Sequence, residues 1–423
     1  MRRMSKYIYL FLISLTLLGL YKSYHFIRQG REYHLPLISN DAFLGVSHLR
    51  KNATLAQLCS RLGAWHYNTK KTSQRVHYLF ERTGICYCSV PKAASTSLIR
   101  YILTKEYPEK ANYYEKIAGS LIHVLPELPV SDPDACANGS KMSFFVSRNP
   151  YERLFSAYID KIYLEKFHQN VLFMDLTKTL GTLDRHKMKM LKKHLEETDA
   201  LDRCTTTNIT FEQFLNVLIS QRTLDHHFAP ITTICNPCEH HFDVILKQES
   251  LHEHVHELTK YLPNEGEMGT DSIPLTNYSG TTGIRLTAHS YYNIRRVIDI
   301  KGECSQKDNW LVRQQSTNER LWNALKMLGN IDEGLKFNNS WFNYAPNERG
   351  ATLADHLVQT LIKHGVQPLD EQQRDKQRNK YLRQAYTSIS RTTLDRIQRI
   401  YQMDFILLGY DKEPPVQINN YHY

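Results

Sequence analysis

The sequence lacks the patterns that would assign it directly to several large protein classes. It has no G-x-x-x-x-G-K-S/T loop, which counts against an ATPase or GTPase, and it has no internal repeat. It also lacks a dense run of lysine and arginine that could bind a nucleic-acid backbone, so we predict no nucleic-acid partner. With 41% hydrophobic and 23% charged residues among 423, the composition is that of a globular protein with one large or two ordinary domains.

Positive charge is modest and concentrated at the N-terminus. The formal net charge is +10, and Arg2, Arg3, Lys6 and Lys22 supply four of these charges without a neighbouring acid. The remaining +6 (10 − 4) is spread over residues 23–423. Such an excess is compatible with an anionic ligand but does not require one.

An apolar run follows this basic N-terminus. Fifteen uncharged residues, 7–21, would span only about 22 Å as a helix, less than the ~30 Å hydrocarbon core of a bilayer. Extending the helix to residue 27 closes the gap if Lys22 reaches the interface. Because no A-x-A-like cleavage site follows, we favour an uncleaved signal anchor over 7–27 with a cytoplasmic N-terminus; a cleaved signal peptide is the alternative.

Cysteines and glycosylation sequons both point to the secretory pathway. Eight cysteines suit an oxidising lumen. The C-x-x-C pair Cys235 and Cys238 could be redox-active, half of a zinc site or disulfide-bonded. The absence of a second C-x-x-C and of a thioredoxin-like context favours structural disulfides. N-x-S/T sequons occur at Asn52, Asn138, Asn208, Asn277 and Asn338.

Two strand-turn-helix units predict an α/β fold with a central, mostly parallel sheet flanked by helices. Residues 84–90 and 141–148 are compact apolar runs, typical of buried strands. Each precedes a segment with helical periodicity, 96–107 and 149–163. Alternation of this kind favours parallel strands joined through helices.

Several other segments have less specific patterns. Asn149, Pro150 and Glu152 predict a capping box at the start of the second helix. Farther along, 264–310 is expected to be rich in loops and 404–410 to form a late strand. Separate from these, His252 and His256 would share a helix face and could bind a metal, although a plain surface helix is the simpler interpretation.

The turn before the first of these helices has the residues of an anion site. A strand that ends in a turn and starts a helix presents unpaired N–H groups and the positive end of the helix dipole. Lys92 adds a charge, and the small residues Ala93 and Ala94 let an anion approach the backbone. Hydroxyl donors follow at Ser95, Thr96 and Ser97. The same residues would also suit an ordinary turn with a surface lysine.

The second unit favours the anion-site interpretation. Arg148 ends a strand directly before a helix, and Ser156 lies two turns into that helix. An arginine and a serine in these places can hold one phosphate between them, the arginine through its planar fork. Two anion sites on neighbouring units suit one ligand with two separated anionic groups.

The paired motifs resemble those of a known family. VPKAAST (90–96) followed by RNPYERLFSAY (148–158) resembles the cofactor motifs of the carbohydrate sulfotransferases, in particular the Golgi branch that includes the chondroitin/dermatan 4-O-sulfotransferases and the HNK-1 sulfotransferase. The resemblance covers roughly 75–255 and 395–411. Further matches in the same order are TFEQFL (210–215), DHHFAPITTICNPC (225–238), FDVILKQESL (242–251) and YQMDFILLGYD (401–411).

This resemblance implies a donor, a fold and a set of roles. The donor would be 3′-phosphoadenosine 5′-phosphosulfate (PAPS), bound in a P-loop-like nucleotide fold without a required metal. Arg148 and Ser156 would bind the 3′-phosphate, and Arg153 could share that role or be structural by pairing within the helix. The 5′-phosphosulfate loop would comprise Pro91, Lys92, Ala93, Ala94, Ser95, Thr96 and Ser97. The chain departs from the family at Ala93-Ala94-Ser95, which is usually bulkier, at Asn149, commonly Asp or His, and at Phe228, commonly Trp.

Sulfuryl transfer also needs charge stabilisation and a base. Lys92 is the candidate to stabilise the leaving phosphate, as cations do in phosphoryl transfer. His227 is the first candidate for the base because its motif position matches the family histidine and its ordinary pKa suits neutral pH. His226 and Glu249 are rivals for that role.

The acceptor is expected to be a glycan hydroxyl, and an anionic glycan is possible. The alternatives are a catalytically inactive glycan-binding membrane protein with a sulfotransferase fold and, less favoured, a lumenal kinase. The expected location is the Golgi membrane, single-pass type II with the catalytic domain lumenal; nothing in the sequence indicates an oligomeric state. The expected segments are a cytoplasmic tail (1–6), the anchor (7–27), a stem (28–74), the catalytic domain (75–411) with acceptor-side insertions in about 258–395, and a C-terminal tail (412–423).

Overall fold

Four short strands form one sheet in the described part of the chain. β1 (His77–Phe80) pairs antiparallel with β2 (Ile85–Cys88); β3 (Met142–Ser147) pairs parallel with β2 on one side and with β4 (Val244–Lys247) on the other. All residues of β2 and β3 are buried, as expected for central strands covered on both faces. The prediction of an α/β fold around a central sheet is confirmed.

The computed structural model does not describe every residue. The predicted anchor, the cytoplasmic tail, most of the stem, and His252 and His256 lie outside the described residues. No helix within the described part is long and apolar enough to cross a membrane. The described residues are 55, 57–60, 77–117, 122–164, 209–221, 223–251, 253, 281–300, 310–342 and 350–415.

Helices cover the sheet and form most of the described residues in the C-terminal half. The predicted helix 149–163 consists of an α-helix followed directly by a π-helix, Tyr158–Tyr163. In chain order the α-helices are α1 (Ser95–Glu106), α2 (Ala111–Lys116), α3 (Pro133–Gly139), α4 (Pro150–Ala157), α5 (Phe211–Ser220), α6 (Ile231–Cys235), α7 (Thr281–Ile300), α8 (Trp310–Met327), α9 (Gly350–Lys363), α10 (Glu371–Thr387), α11 (Arg391–Ile400) and α12 (Gln402–Leu407).

Two predictions for the C-terminal half are wrong. The supposedly loop-rich region contains the twenty-residue helix α7. The supposed strand 404–410 is the end of a helical segment, because most of it lies in α12. A short apolar run does not distinguish a strand from a buried helix, and here tertiary bonds favour the helix. Asp404 accepts hydrogen bonds from the N–H groups of Ile231 and Thr232, both at 2.8 Å, at the start of α6.

Three disulfides link the described cysteines: Cys59–Cys238, Cys86–Cys136 and Cys88–Cys235. The C-x-x-C cysteines therefore bond to two different partners, which confirms structural disulfides. Cys88–Cys235 joins the last residue of β2 to α6 across 147 residues. In the chain-entropy account, a bridge closing so long a loop stabilises the fold by about 5 kcal/mol.

Candidate active site

The candidate site lies at the edge of the sheet where β2, β3 and β4 end. Because these strands are parallel, their carboxyl ends share one edge, the usual ligand-binding edge of an α/β sheet. The turn between β2 and α1 (89–94), called here the lysine turn, and the turn between β3 and α4 (148–149), called here the arginine turn, are neighbours at that edge.

The lysine turn has an unusual backbone and a helix start without a side-chain cap. Lys92 and Ala94 have φ angles of 66° and 58°, in the left-handed region that residues with a side chain rarely adopt. Each such residue costs on the order of 1–2 kcal/mol, and strain of this kind clusters at functional sites. No side chain of the described residues caps α1 at Ala94. The first N–H groups of α1 can therefore bind another acceptor.

Side-chain exposure divides the predicted phosphosulfate-binding residues, 91–97, into two groups. Lys92, Ala94 and Thr96 are partly exposed, so their side chains can meet a ligand. Of the three predicted hydroxyl donors, Thr96 is thus the accessible one. The remaining residues of this range are buried: Pro91, Ala93, Ser95 and Ser97.

The arginine turn is closed by its own side chains. Asn149 Oδ1 accepts a hydrogen bond from the N–H of Tyr151 at 2.9 Å, so the predicted N-cap is present. The predicted capping box is wrong in its second half, because Glu152 Oε2 lies 3.4 Å from Arg148 Nη2. The Asn149 N–H donates instead to Glu249 Oε1 at 2.7 Å. Glu152 faces a guanidinium, a stronger partner than a backbone N–H.

Arg148 joins the two turns. Its side chain is almost fully buried, and its Nη1 donates to the carbonyl oxygen of Lys92 at 2.9 Å. Its Nε is buried without a hydrogen-bond partner among the described residues. A buried donor left unsatisfied costs about 1–3 kcal/mol, which a bound anion would recover. Ser156, the other predicted 3′-phosphate residue, is partly buried on α4.

Arg153 holds this architecture together. Its fully buried guanidinium donates to three carbonyl oxygens, those of Pro91 (2.9 Å), Ala229 (2.6 Å) and His226 (2.9 Å). These bonds favour a structural role for Arg153. The expected pairing within its own helix is replaced by hydrogen bonds to two other segments of the chain. Arg153 ties the lysine turn to residues 225–230.

The segment 225–230 presents an aspartate-histidine pair. His227 Nδ1 lies 2.6 Å from Asp225 Oδ1. Burial, followed by the charges of Lys161 and His226, lowers the pKa of His227 to about 3, although Asp225 opposes the shift. His227 is therefore neutral at physiological pH, and its contact with the Asp225 carboxylate assigns the ring proton to Nδ1. The expectation that His227 keeps an ordinary pKa suited to neutral pH is therefore wrong, because burial disfavours its charged form. The pair still has the arrangement of a general base and its orienting carboxylate.

The two rivals of His227 are less suitable. Both carboxylate oxygens of Glu249 are engaged, one by the Asn149 N–H and the other by the Tyr410 hydroxyl at 3.1 Å. His226 lies next to His227, with ring centroids 4.1 Å apart. Its Nδ1 is buried and lies 3.6 Å from Asp225 Oδ2, beyond hydrogen-bond distance. His226 thus lacks the orienting bond that His227 has.

Two contacts at the site were not anticipated from the sequence. Thr96 Oγ1 lies 2.9 Å from Nε2 of His123, whose pKa is lowered to about 4 by burial and then by Lys161. Lys92 Nζ lies 3.1 Å from Oδ2 of Asp160, which is in the π-helix. An isolated histidine has no sequence signal, but Asp160 follows Ser156 by four residues, a spacing that places side chains near one another on a helix.

The ligand atoms of Asp225, His226 and His227 lie within 4.8 Å of one another, close enough for a metal ion. The close Asp225–His227 contact already engages one of these nitrogens. The cationic side chain of Lys161 also raises the local potential, as its effect on His227 shows. That no metal is required stays a prediction.

Comparisons with known proteins agree with the resemblance of the motifs. A model of the sulfotransferase family matches residues 77–295, so the chain belongs to the sulfotransferase family. It is 26% identical over 225 residues to carbohydrate sulfotransferase 11 of Mus musculus, covering 50% of this chain and 58% of that protein. It is also 24% identical over 276 residues to carbohydrate sulfotransferase 10 of Danio rerio, covering 59% of this chain and 72% of that protein.

A third relative is more distant. Carbohydrate sulfotransferase 9 of Homo sapiens is 21% identical over 214 residues, covering 48% of this chain and 45% of that protein. The chain matches little more than half the length of the first relatives, the carbohydrate sulfotransferases 11. No solved structure matches the chain.

Proposed function

We propose that this chain transfers a sulfuryl group from PAPS to a hydroxyl of a glycan. The observation that supports this most directly is the hydrogen bond from Arg148 to the Lys92 carbonyl oxygen, at 2.9 Å. This bond fixes the two anion-binding turns relative to each other. One ligand with an anionic group at each end, as PAPS has, can then contact both.

The residues present fit such a donor. At the lysine turn, the N–H groups at the start of α1 and the ammonium of Lys92 would hold the 5′-phosphosulfate, with Thr96 as hydroxyl donor. At the arginine turn, the Nε of Arg148 has no hydrogen-bond partner among the described residues and would donate to a 3′-phosphate oxygen, with the Ser156 hydroxyl as a second donor. Both groups would be held by charge-assisted hydrogen bonds.

The chemistry requires one proton acceptor and one stabilised leaving group. The acceptor hydroxyl oxygen forms the new S–O bond while the S–O bond to the donor phosphate breaks. The hydroxyl proton passes to His227 Nε2, and the electron pair of the broken bond stays on the phosphate oxygen. Lys92 would stabilise that developing charge, which is the largest single contribution in reactions of this type.

The cellular setting is part of the proposal. The relatives are named carbohydrate sulfotransferases, which favours a glycan acceptor, and the mild positive excess allows an anionic one. Three disulfides agree with an oxidising lumen. We place the enzyme in the Golgi membrane, anchored through residues 7–27, with residues 75–411 lumenal and the region 258–395 shaping acceptor choice.

The full chain, expressed in secretory cells and purified in detergent, should transfer ³⁵S from labelled PAPS to at least one glycan in a panel of native and desulfated glycosaminoglycans and glycoprotein oligosaccharides. A Lys92→Ala chain serves as the inactive control. Labelled ATP run in parallel tests the kinase alternative. Binding of PAPS without transfer to any acceptor would favour the inactive glycan-binding protein, and failure to bind PAPS would rule out the proposed function.

A further inference from the structure

The π-helix Tyr158–Tyr163 brings two charged residues to the lysine turn. π-Helices are rare and occur most often as local insertions at functional sites. Here the π-helix continues α4 and carries Asp160 and Lys161. Neither residue is part of the motifs that define the two turns.

One carboxylate oxygen lies between two ammonium groups. Oδ2 of Asp160 is 3.1 Å from Lys92 Nζ and 3.5 Å from Lys161 Nζ. All three side chains are largely buried, with exposed fractions of 21%, 21% and 17% for Lys92, Asp160 and Lys161. The two ammonium groups bind one anionic oxygen of Asp160. The same pair of lysines could bind a phosphate or sulfuryl oxygen of a donor in this position.

The charge of Lys161 also acts on the other groups of the site. It lowers the pKa of both His123 and His227, and Lys92 lowers that of His123. Together with the 3.5 Å contact between Lys161 and Asp160, these shifts indicate that the charge of Lys161 adds to that of Lys92 at this end of the site. The two lysines and one aspartate together leave one net positive charge there.

We propose that Lys161 is a second catalytic cation and that Asp160 is a positioning residue. In the absence of the donor, the Asp160 carboxylate occupies the position that an anionic group of the donor takes when it binds. Asp160 holds the two ammonium groups close together against their mutual repulsion. The 5′-phosphate end of the donor displaces the carboxylate and is then bound by both lysines. During transfer, Lys161 shares with Lys92 the charge that develops as the S–O bond to the phosphate breaks. This inference rests on the proposed function.

The direction in which Asp160→Asn changes the affinity for a nucleotide distinguishes this role from a merely structural one. Asp160→Asn keeps the shape and removes the competing charge, so the full chain should bind adenosine 3′,5′-bisphosphate about fivefold more tightly in calorimetry. Adenosine 3′-monophosphate lacks the 5′-phosphate, and its affinity should stay within about twofold. A structural ion pair predicts weaker binding of both ligands. Unchanged or weaker binding of the bisphosphate by a folded Asp160→Asn chain would overturn the proposal.

The matched control is Glu127→Gln. Glu127 pairs with Lys110 at the same 3.1 Å distance and its loss changes the net charge equally. It should leave the affinities for both nucleotides within about twofold, because solvent and salt screen its charge. A tightening equal to that of Asp160→Asn would show a general charge effect and would overturn the local role of Asp160.

The catalytic part is tested at Lys161. Lys161→Met should lower kcat for sulfuryl transfer about 50-fold, and Lys161→Arg should recover most of it, since the charge is restored. The control Lys110→Met should stay within about twofold. A kcat for Lys161→Met close to the wild type would overturn the assignment, and melting temperatures establish that each variant is folded. A wild-type chain that neither binds nor transfers would instead refute the proposed function itself.

Discussion

The lysine turn and the arginine turn connect neighbouring parallel strands to helices, yet their helix starts are satisfied in opposite ways. At the arginine turn, the Asn149 side chain accepts from the Tyr151 N–H, and Glu249 accepts from the Asn149 N–H. At the lysine turn, α1 begins at Ala94 with a left-handed residue and no side-chain cap among the described residues. The helix start at the arginine turn thus has side-chain acceptors for these two N–H groups, whereas the helix start at the lysine turn has N–H groups available for a ligand.

This difference indicates a division of labour. A turn closed by its own side chains can hold a guanidinium in a fixed position, which suits an anchoring site. A strained, uncapped turn with a partly exposed lysine suits the end of the ligand where charge changes during the reaction. We therefore expect substitutions at the lysine turn to affect turnover and those at the arginine turn to affect donor affinity.

The strongest test of the comparison is Lys92→Met. The rate of transfer should fall by about 10³-fold because the developing charge on the leaving phosphate loses its nearest cation. The melting temperature should change little, since Asp160 keeps its pair with Lys161 at 3.5 Å when Lys92 is replaced. Lys105→Met, near the end of α1, is the control and should retain activity. Turnover within tenfold of wild type would remove Lys92 from the catalytic role.

The base at His227 should produce the next largest effect. His227→Gln should lower kcat/KM about 100-fold, and His226→Gln less than tenfold. Because burial lowers the pKa of His227 to about 3, the residue stays unprotonated, and wild-type kcat/KM should not fall between pH 7 and pH 5 through this group. The reverse ranking of the two variants would assign the base to His226.

A substitution at the arginine turn should act on binding. Arg148→Lys keeps the positive charge but loses the planar guanidinium with its several N–H donors. The affinity for adenosine 3′,5′-bisphosphate should therefore fall about 20-fold in calorimetry. The kcat at saturating donor should stay within a few-fold of wild type. Arg100→Lys is the control, because Arg100 is also buried and donates to two carbonyl oxygens, those of Tyr114 and Ile117. A loss confined to kcat in Arg148→Lys would contradict the division between the turns.

Local sequence patterns predicted the two turns well for physical reasons. Strands such as β2 and β3 are short apolar runs, and the helices that follow have clear 3.6-residue periods, so their bounds agree with the structure within a residue or two. Asn149 and Pro150 identified the start of α4 because an N-cap depends only on neighbouring residues.

Contacts between distant segments could not be predicted in the same way. His123 meets Thr96 across 27 residues, and Arg153 bonds to Ala229 across 76, neither with any local signal. Residues 404–407 of α12 were predicted as part of a strand (404–410), because Asp404 bonds to residues of α6 that are 172 and 173 positions away in sequence. A short apolar run is compatible with both a strand and a buried helix, and tertiary hydrogen bonds of this kind determine which of the two forms.

The smallest predicted effect tests whether the start of α4 is capped without a ligand. Asn149→Ala removes the bond to the Tyr151 N–H, so the free energy of unfolding should fall by about 1 kcal/mol in urea titrations. Thr210→Ala, which removes the cap of α5, should cost a similar amount. Both variants should keep wild-type donor affinity within about twofold. The Asn149 side chain caps α4 and is not expected to contact the ligand. If adenosine 3′,5′-bisphosphate restored the stability of Asn149→Ala beyond its effect on wild type, the ligand would be supplying the missing acceptor at α4. The two turns would then both be ligand-dependent, and the contrast between them would disappear.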